Sequence, residues 1–228
     1  MTVTMTSAIS VELVRALASD QFVADAARVS TLGERSEDST RPVAPLINRL
    51  VADQHGSPLE HNFFTFRVQA PLYVMTEHLR HRIGWSYNGE SGRYKTFDPV
   101  FYTPPEERGI TQVGKAMEYD VREGSGDQRS HVQVALMINA AESWTRYEAL
   151  LAGGIAREVA RQVLPTNLMT TYYTSCNARS LMAFLELRGV GTHALWEIQQ
   201  VAKGYEDAFR AHMPATYNAF VAAGRTAP

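Results

Sequence analysis

Arg80-His81-Arg82 is followed at once by the polar, glycine-containing run Ser86-Tyr87-Asn88-Gly89-Glu90-Ser91-Gly92-Arg93. Glycine and serine let backbone N–H groups come close to a ligand, and a guanidinium matches a phosphate with two parallel hydrogen bonds. The run fits a phosphate-binding loop. A solvated helix end, where the dipole favours cations, has the same composition. Arg157-Glu158-Val159-Ala160-Arg161 sets two arginines four residues apart on one helix face, either as an anion grip or as an exposed ion-paired face. Arg179 falls in the first turn of a helix, where the dipole disfavours a cation, so it calls for an anion or a local partner nearby. Arg188 follows at the end of that helix.

Other candidates are weaker. His55, Glu60 and His61 straddle Pro58 with no ligand spacing of a known metal site, so no metal is expected. Cys176 is the sole cysteine. A single thiol can be a nucleophile when a base sits beside it, but its place between a Tyr/Thr-rich strand and an apolar helix reads as a buried, inert thiol. No nucleophile-elbow, Walker or Rossmann glycine pattern occurs, so any phosphate must be held by arginines and loop amides.

Composition sets the frame for these residues. The chain has 228 residues, 45% hydrophobic and 20% charged, which suits a globular protein with one core-forming domain. A net charge of −2 argues against general nucleic-acid binding. Of the 22 basic residues 19 are arginine, which reads either as genomic bias or as anion recognition. No apolar run reaches the roughly 18–20 residues of a membrane span, and Met1–Ser10 lacks the features of a secretory signal, so a cytoplasmic location is expected.

The elements that must position these residues follow from pattern and punctuation. Strands are expected at Ile9–Leu17, Phe63–Gln69 and Leu168–Ser175, with an extended piece at Pro99–Pro105. Helices are expected at Gln21–Val29 (Asp20 as N-cap), Val43–Gln54, Leu72–Arg82, Arg129–Ala152, Ala156–Val163, Ala178–Leu187 (Asn177 as N-cap), His193–Met213 and a short last one through Ala222. Gly33–Pro42 reads as a mobile loop, Ile83–Tyr94 as a loop, and Glu106–Asp127 as weakly patterned and partly helical. The balance is α+β: a helix-rich single domain over residues 1–228 with a small mixed or antiparallel sheet, and flexible tails at 1–8 and 223–228.

Arg80-His81-Arg82, followed after eight residues by Ser91, resembles the signature of the flavin-dependent thymidylate synthases. Further stretches are similar to that family in order along the chain: Ala26–Ser30, the turn His55–His61, Arg157–Pro165, Asn177–Arg188 and His193–Gln200. The resemblance implies an α+β homotetramer with active sites shared between subunits. It implies conversion of dUMP to dTMP with methylene-tetrahydrofolate as one-carbon donor, NADPH as reductant acting through FAD, tetrahydrofolate as the folate product and no cysteine nucleophile. No nucleic-acid or membrane partner is implied.

The resemblance also implies roles. Arg80, His81, Arg82, Asn177, Arg179, Ser57 and Gly89 match flavin contacts. Glu77, His78, Leu79 and Arg80 open a nucleotide-contacting stretch that continues through Gly89, Glu90, Ser91, Gly92 and Arg93. Arg161 matches an arginine that reaches the nucleotide from another subunit. Arg188 matches the arginine beside the uracil, and with Ser91 it carries the catalytic assignment. A guanidinium stays charged at neutral pH, so Arg188 would stabilise charge developing on the ring rather than move a proton. Two positions depart from the family pattern: Gly89 stands where Glu or Gln is common, and Ala183 where many members have an Asn that contacts the flavin. These departures leave a non-catalytic nucleotide-binding protein as the alternative, and an arginine-based nucleic-acid binder as a remoter one.

Overall fold

The computed structural model describes residues 2–33, 41–115 and 118–228. They divide into two compact units, one of residues 1–8, 70–75 and 90–170, the other of 9–69, 76–89 and 171–228. The chain runs β1 (Thr4–Thr6), β2 (Ser10–Leu17), α1 (Asp20–Leu32), α2 (Ala44–Ala52), a 3₁₀ turn (Ser57–His61), β3 (Phe63–Pro71), α3 (Leu72–His78), β4 (Trp85–Gly89), β5 (Val100–Tyr102), β6 (Thr111–Lys115), β7 (Glu118–Arg122), α4 (Gly126–Ala152), α5 (Arg157–Ala160), a second 3₁₀ turn (Arg161–Val163), β8 (Met169–Asn177), α6 (Ala178–Arg188), α7 (Trp196–His212) and α8 (Pro214–Ala222). The α+β reading holds, with more strands than the sequence suggested.

The second unit is built on a four-stranded sheet in the order β2-β3-β8-β4. The β2–β3 and β4–β8 pairs are antiparallel. In β3, Phe64, Phe66, Val68 and Ala70 are buried at every second position, the alternation of a half-buried strand. Phe66 packs 4.3 Å from the Tyr205 ring on α7, and Phe64 meets Phe209 edge-on at 6.3 Å. Burying such rings is worth roughly 1.5–3 kcal/mol each, so this seam is a main source of the unit's cohesion.

The first unit has its own core, in which α4 contributes Ala140, Trp144 and Tyr147 against Phe97, Phe101, Ala160 and Leu168. Strand β1 pairs in parallel with β5, and β6 with β7 form a separate antiparallel hairpin.

Several local expectations change. The N-cap of α1 is Ser19, whose hydroxyl accepts from Phe22 N, not Asp20. The Asp20 carboxylate instead accepts from Ala215 N and Thr216 N, at 2.7 and 2.9 Å, and so caps the start of α8. Helix α3 stops at His78, so Arg80–Arg82 lie in a turn and not on a helix. Trp85–Gly89, expected as loop, is strand β4. The weakly patterned stretch after Glu106 holds the β6–β7 hairpin, and α7 begins at Trp196 and not at His193. Both expected tails are engaged: Thr4–Thr6 is a paired strand, and Arg225 is ion-paired with Glu206 at 2.8 Å. The mobile loop expected over Gly33–Pro42 falls mostly on residues 34–40, outside the described residues. Asn177 caps α6 as expected, accepting from Ser180 N at 2.8 Å.

Candidate active site

In the second unit the turn after α3 carries Arg80-His81-Arg82, and β4 holds it in place. Tyr87 Oη lies 2.9 Å from the carbonyl oxygens of both His78 and His81, fastening the turn to the sheet at two points. Gly84 then reverses the chain with φ +69°. A Cβ there would collide with the Ser180 hydroxyl and lie 2.8 Å from the Asn177 amide. Only glycine satisfies both demands, so the arginine turn sits flush against the first turn of α6.

The result is an open cavity of about 900 Å³, lined among others by Arg80, His81, Arg82, Asn177, Arg179 and Ala183. That volume lies within the range of ligand pockets. Three arginines on the lining, Arg80, Arg82 and Arg179, fit a ligand with negative charge, and Trp85 adds an apolar surface. The residues present therefore fit the phosphates and ring system of a flavin dinucleotide. Ser57 is not on that lining, although Glu60 of the same 3₁₀ turn is. Arg179 is already held twice: Nη1 pairs with Glu60 at 2.5 Å, and Nε donates to the Pro228 carbonyl at 2.7 Å.

The end of α6 brings three expected residues together. Arg188 Nη1 pairs with Glu77 at 2.9 Å, and Arg188 Nε donates to His81 Nε2 at 3.2 Å. All three are half-buried. An arginine Nε always carries its proton, so His81 Nε2 accepts, and the imidazole is neutral with its hydrogen on Nδ1. Burial and then the nearby Arg188 charge lower the His81 pKa from 6.5 to about 4, which agrees. The Nη2 group of Arg188 has no partner among the described residues.

His78 needs correcting as a nucleotide contact. Its side chain is fully buried, packed against Phe184, Trp85, Tyr87, Tyr205 and Tyr172, with Nδ1 3.1 Å from Tyr172 Oη. It has no open face for a ligand; its part is structural. Burial, then the His81 charge, lower its pKa to about 3. Leu79 is exposed, and Gly89 ends β4 opposite Tyr172. Cys176 is buried, and burial raises its pKa well above the ordinary thiol value, so it is not a thiolate at neutral pH.

In the first unit, Ser91–Lys95 forms a single turn, with Tyr94 N and Lys95 N bonded to the Ser91 carbonyl. Gly92 is buried under the Phe97 ring and the Arg161 side chain: a Cβ there would collide with Phe97 and lie 2.9 Å from the Arg161 Cδ. Arg161, expected to reach the site from another subunit, thus adjoins the serine loop within one chain. Glu158 pairs with Arg93 at 2.9 Å, so the helix-face acid serves the loop and not its neighbouring arginines. Glu90 pairs with Lys95 at 3.2 Å. Arg93 and Arg161 flank this serine–glycine turn, whose amides at Arg93, Tyr94 and Lys95 are bonded to Ser91 itself, so the positive charge there comes from the two guanidiniums. Arg157 lines a smaller hollow of about 330 Å³ with Thr96 and Ile155.

Sequence reasoning missed Tyr87 and Gly84, which hold the arginine turn. The alternation of Trp85, Tyr87 and Gly89 was the available signal for a strand. Among the described residues no group of three or more His, Cys, Asp or Glu is placed to hold a metal, and no helix is long and apolar enough to cross a membrane.

The family model described as thymidylate synthase complementing protein matches residues 12–215. The flavin-dependent thymidylate synthase of Streptomyces coelicolor is 45% identical over 232 aligned positions, covering 97% of this chain and 94% of that protein. Its counterpart from Thermotoga neapolitana is 44% identical over 213 positions, covering 92% and 90%. The crystal structure of PolB, a UMP/dUMP methylase from Streptomyces cacaoi bound with 5-Br UMP, superposes with a TM-score of 0.92 at 40% identity over the whole of both chains. A second structure of PolB carries 5-Br dUMP. With the arginine turn, the capped α6 and the Arg188 cluster in place, these matches establish that the chain belongs to the flavin-dependent thymidylate synthase family.

Proposed function

We propose that this enzyme methylates dUMP to dTMP with methylene-tetrahydrofolate as one-carbon donor and NADPH as reductant, using FAD. The observation that carries the reading is Arg188, a half-buried guanidinium held by Glu77 and His81 with its Nη2 end unpartnered. Arg188 takes the uracil ring there and offsets the negative charge that develops on it as carbon–carbon bond formation proceeds. In the first unit, Ser91, Gly92, Arg93 and Arg161 hold the nucleotide phosphate, and Glu90 stands at the edge of that loop. In the second, Arg80, His81, Arg82, Asn177 and Arg179 hold the flavin; Ser57 and Gly89 flank it. Bound flavin supplies the redox chemistry, and the protein supplies orientation and charge. Cys176, protonated and buried, takes no part.

The assembly we propose is a cytoplasmic homotetramer with shared sites. What supports it is α4, which leaves Val134, Met137 and Ile138 exposed, Ile138 to 51%. Apolar side chains gathered on one helix suit burial against another subunit.

A second reading concerns the sugar. PolB is named for both UMP and dUMP, and Gly89 places no side chain at the end of β4. We extend the substrate class to UMP on that observation; equal turnover of UMP and dUMP supports it, and strict rejection of UMP removes it.

The test of the main reading is NADPH oxidation by purified protein with added FAD, with and without dUMP. Oxidation that rises with dUMP supports flavin, reductant and nucleotide meeting at one site. No oxidation in either case, from folded protein, turns the reading towards a non-catalytic binder.

A further inference from the structure

Arg188 is the residue on which the proposed function rests most heavily, and its side chain is flexible by nature. A guanidinium on three methylenes can sweep several ångströms, and holding it costs side-chain entropy. Two contacts hold it here. His81 accepts from Nε at the root of the fork, and Glu77 pairs with Nη1 on one tine. The other tine, Nη2, is left open. A planar fork fixed at its root and one tine has its remaining N–H groups fixed in direction.

We propose that Glu77 is a positioning residue: it acts on the nucleotide through Arg188, by aiming the Nη2 group, and not by binding the nucleotide itself. Glu77 is near the end of α3, and no other partner of its carboxylate is present among the described residues. The carboxylate is also the only group of this cluster that can accept from Nη1 while His81 serves Nε. A consequence follows for His81. Because Glu77 fixes the fork, Nε–H stays on His81 Nε2, and the imidazole stays in the Nδ1–H tautomer.

This inference rests on the proposed function for its kinetic readout but not for its spectroscopic one. The experiment uses the full chain, FAD-loaded, as wild type, Glu77→Ala and Glu77→Gln. Turnover of dUMP is resolved into kcat and KM, and the His81 ring nitrogens are read by long-range ¹H–¹⁵N NMR. The wild type should show a single neutral Nδ1–H tautomer at His81. Glu77→Ala should lower kcat about 10- to 100-fold, the scale of a small misplacement of a reacting group. KM for dUMP should stay within about 3-fold, since no nucleotide contact is lost. The His81 signal should shift towards a tautomer mixture. Glu77→Gln keeps an acceptor oxygen for Nη1 and should restore both the tautomer and most of kcat. A raised KM with unchanged kcat in Glu77→Ala would overturn the proposal in favour of a direct nucleotide contact. So would a His81 tautomer indifferent to Glu77. A wild type that makes no dTMP yet shows the Glu77-dependent tautomer overturns the functional reading and leaves the positioning contact standing.

Discussion

Arg188 is the most exacting residue of the account. Arg188→Ala removes the cation and frees Glu77 and His81; folding should be retained and dTMP formation should fall by about 10²-fold or more, the scale of losing one preorganised donor. Near-normal turnover in that variant would end the assigned role. Ala183 lies on the cavity lining between the cap of α6 and its end, with no side-chain hydrogen-bonding group. Ala183→Asn should tighten FAD binding by the value of one hydrogen bond, about 0.5–1.5 kcal/mol, or roughly 2- to 10-fold in Kd by fluorescence titration. Unchanged affinity would place that side chain away from the flavin. His78 makes a stability prediction with a definite sign. Its folded pKa, about 3, lies below the ordinary value of 6.5, so the unfolded chain binds a proton that the folded one refuses. Stability is complete above pH 6.5 and falls as the pH drops through that value towards 3, at about 1.4 kcal/mol per pH unit while the difference is one proton. His81, lowered to about 4, adds a loss of the same sign, so urea midpoints at pH 7.5 and 5.0 are compared in the wild type and in His81→Asn, where the remaining slope belongs to His78. A flat profile would mean His78 is open to solvent. At this scale the arginines were legible in the sequence because their spacing is local. His78 was not, because its burial is made by Tyr172, Phe184 and Tyr205, far along the chain.

At the scale of elements, the cap of α6 and the turn before β4 form one joint. Asn177 accepts from Ser180 N, its own N–H reaches the Gly84 carbonyl, and Gly84 has no room for a Cβ. Gly84→Ala should cost about 1–3 kcal/mol for the backbone conformation alone and should also move the arginine turn, weakening FAD binding together with stability. Loss of flavin affinity without loss of stability would mean the joint is looser than drawn. Asn177 was readable as a cap because cap chemistry is written in one residue and the helix that follows. The extent of α3 was not: Leu79–Arg82 continues a helical composition, and it is the left-handed Gly84 and the Tyr87 hydroxyl that turn the chain into β4. Nor was the β6–β7 hairpin, whose residues are nearly all exposed and so carry no buried face for a pattern to mark. Ser19 and Asp20 are both good caps, and the choice between them is made by α8, which draws the Asp20 carboxylate away.

At the scale of the whole molecule, each of the two units has its own core, and each carries part of the expected machinery: the phosphate-binding loop in one, the arginine turn and Arg188 in the other. The proposed assembly rests on the exposed apolar side chains Val134, Met137 and Ile138 of α4. Ile138→Glu places a charge beside Val134 and Met137, and should shift sedimentation of the protein from the proposed tetramer to smaller species while leaving its circular dichroism unchanged. A tetramer that survives the change would move the interface elsewhere. One product analysis tests the proposed activity most directly. Protein supplied with FAD, NADPH, methylene-tetrahydrofolate and dUMP should form dTMP, with tetrahydrofolate and not dihydrofolate as the folate product. Folded, flavin-loaded protein that forms no methylated nucleotide, or that releases dihydrofolate in step with dTMP, would contradict it.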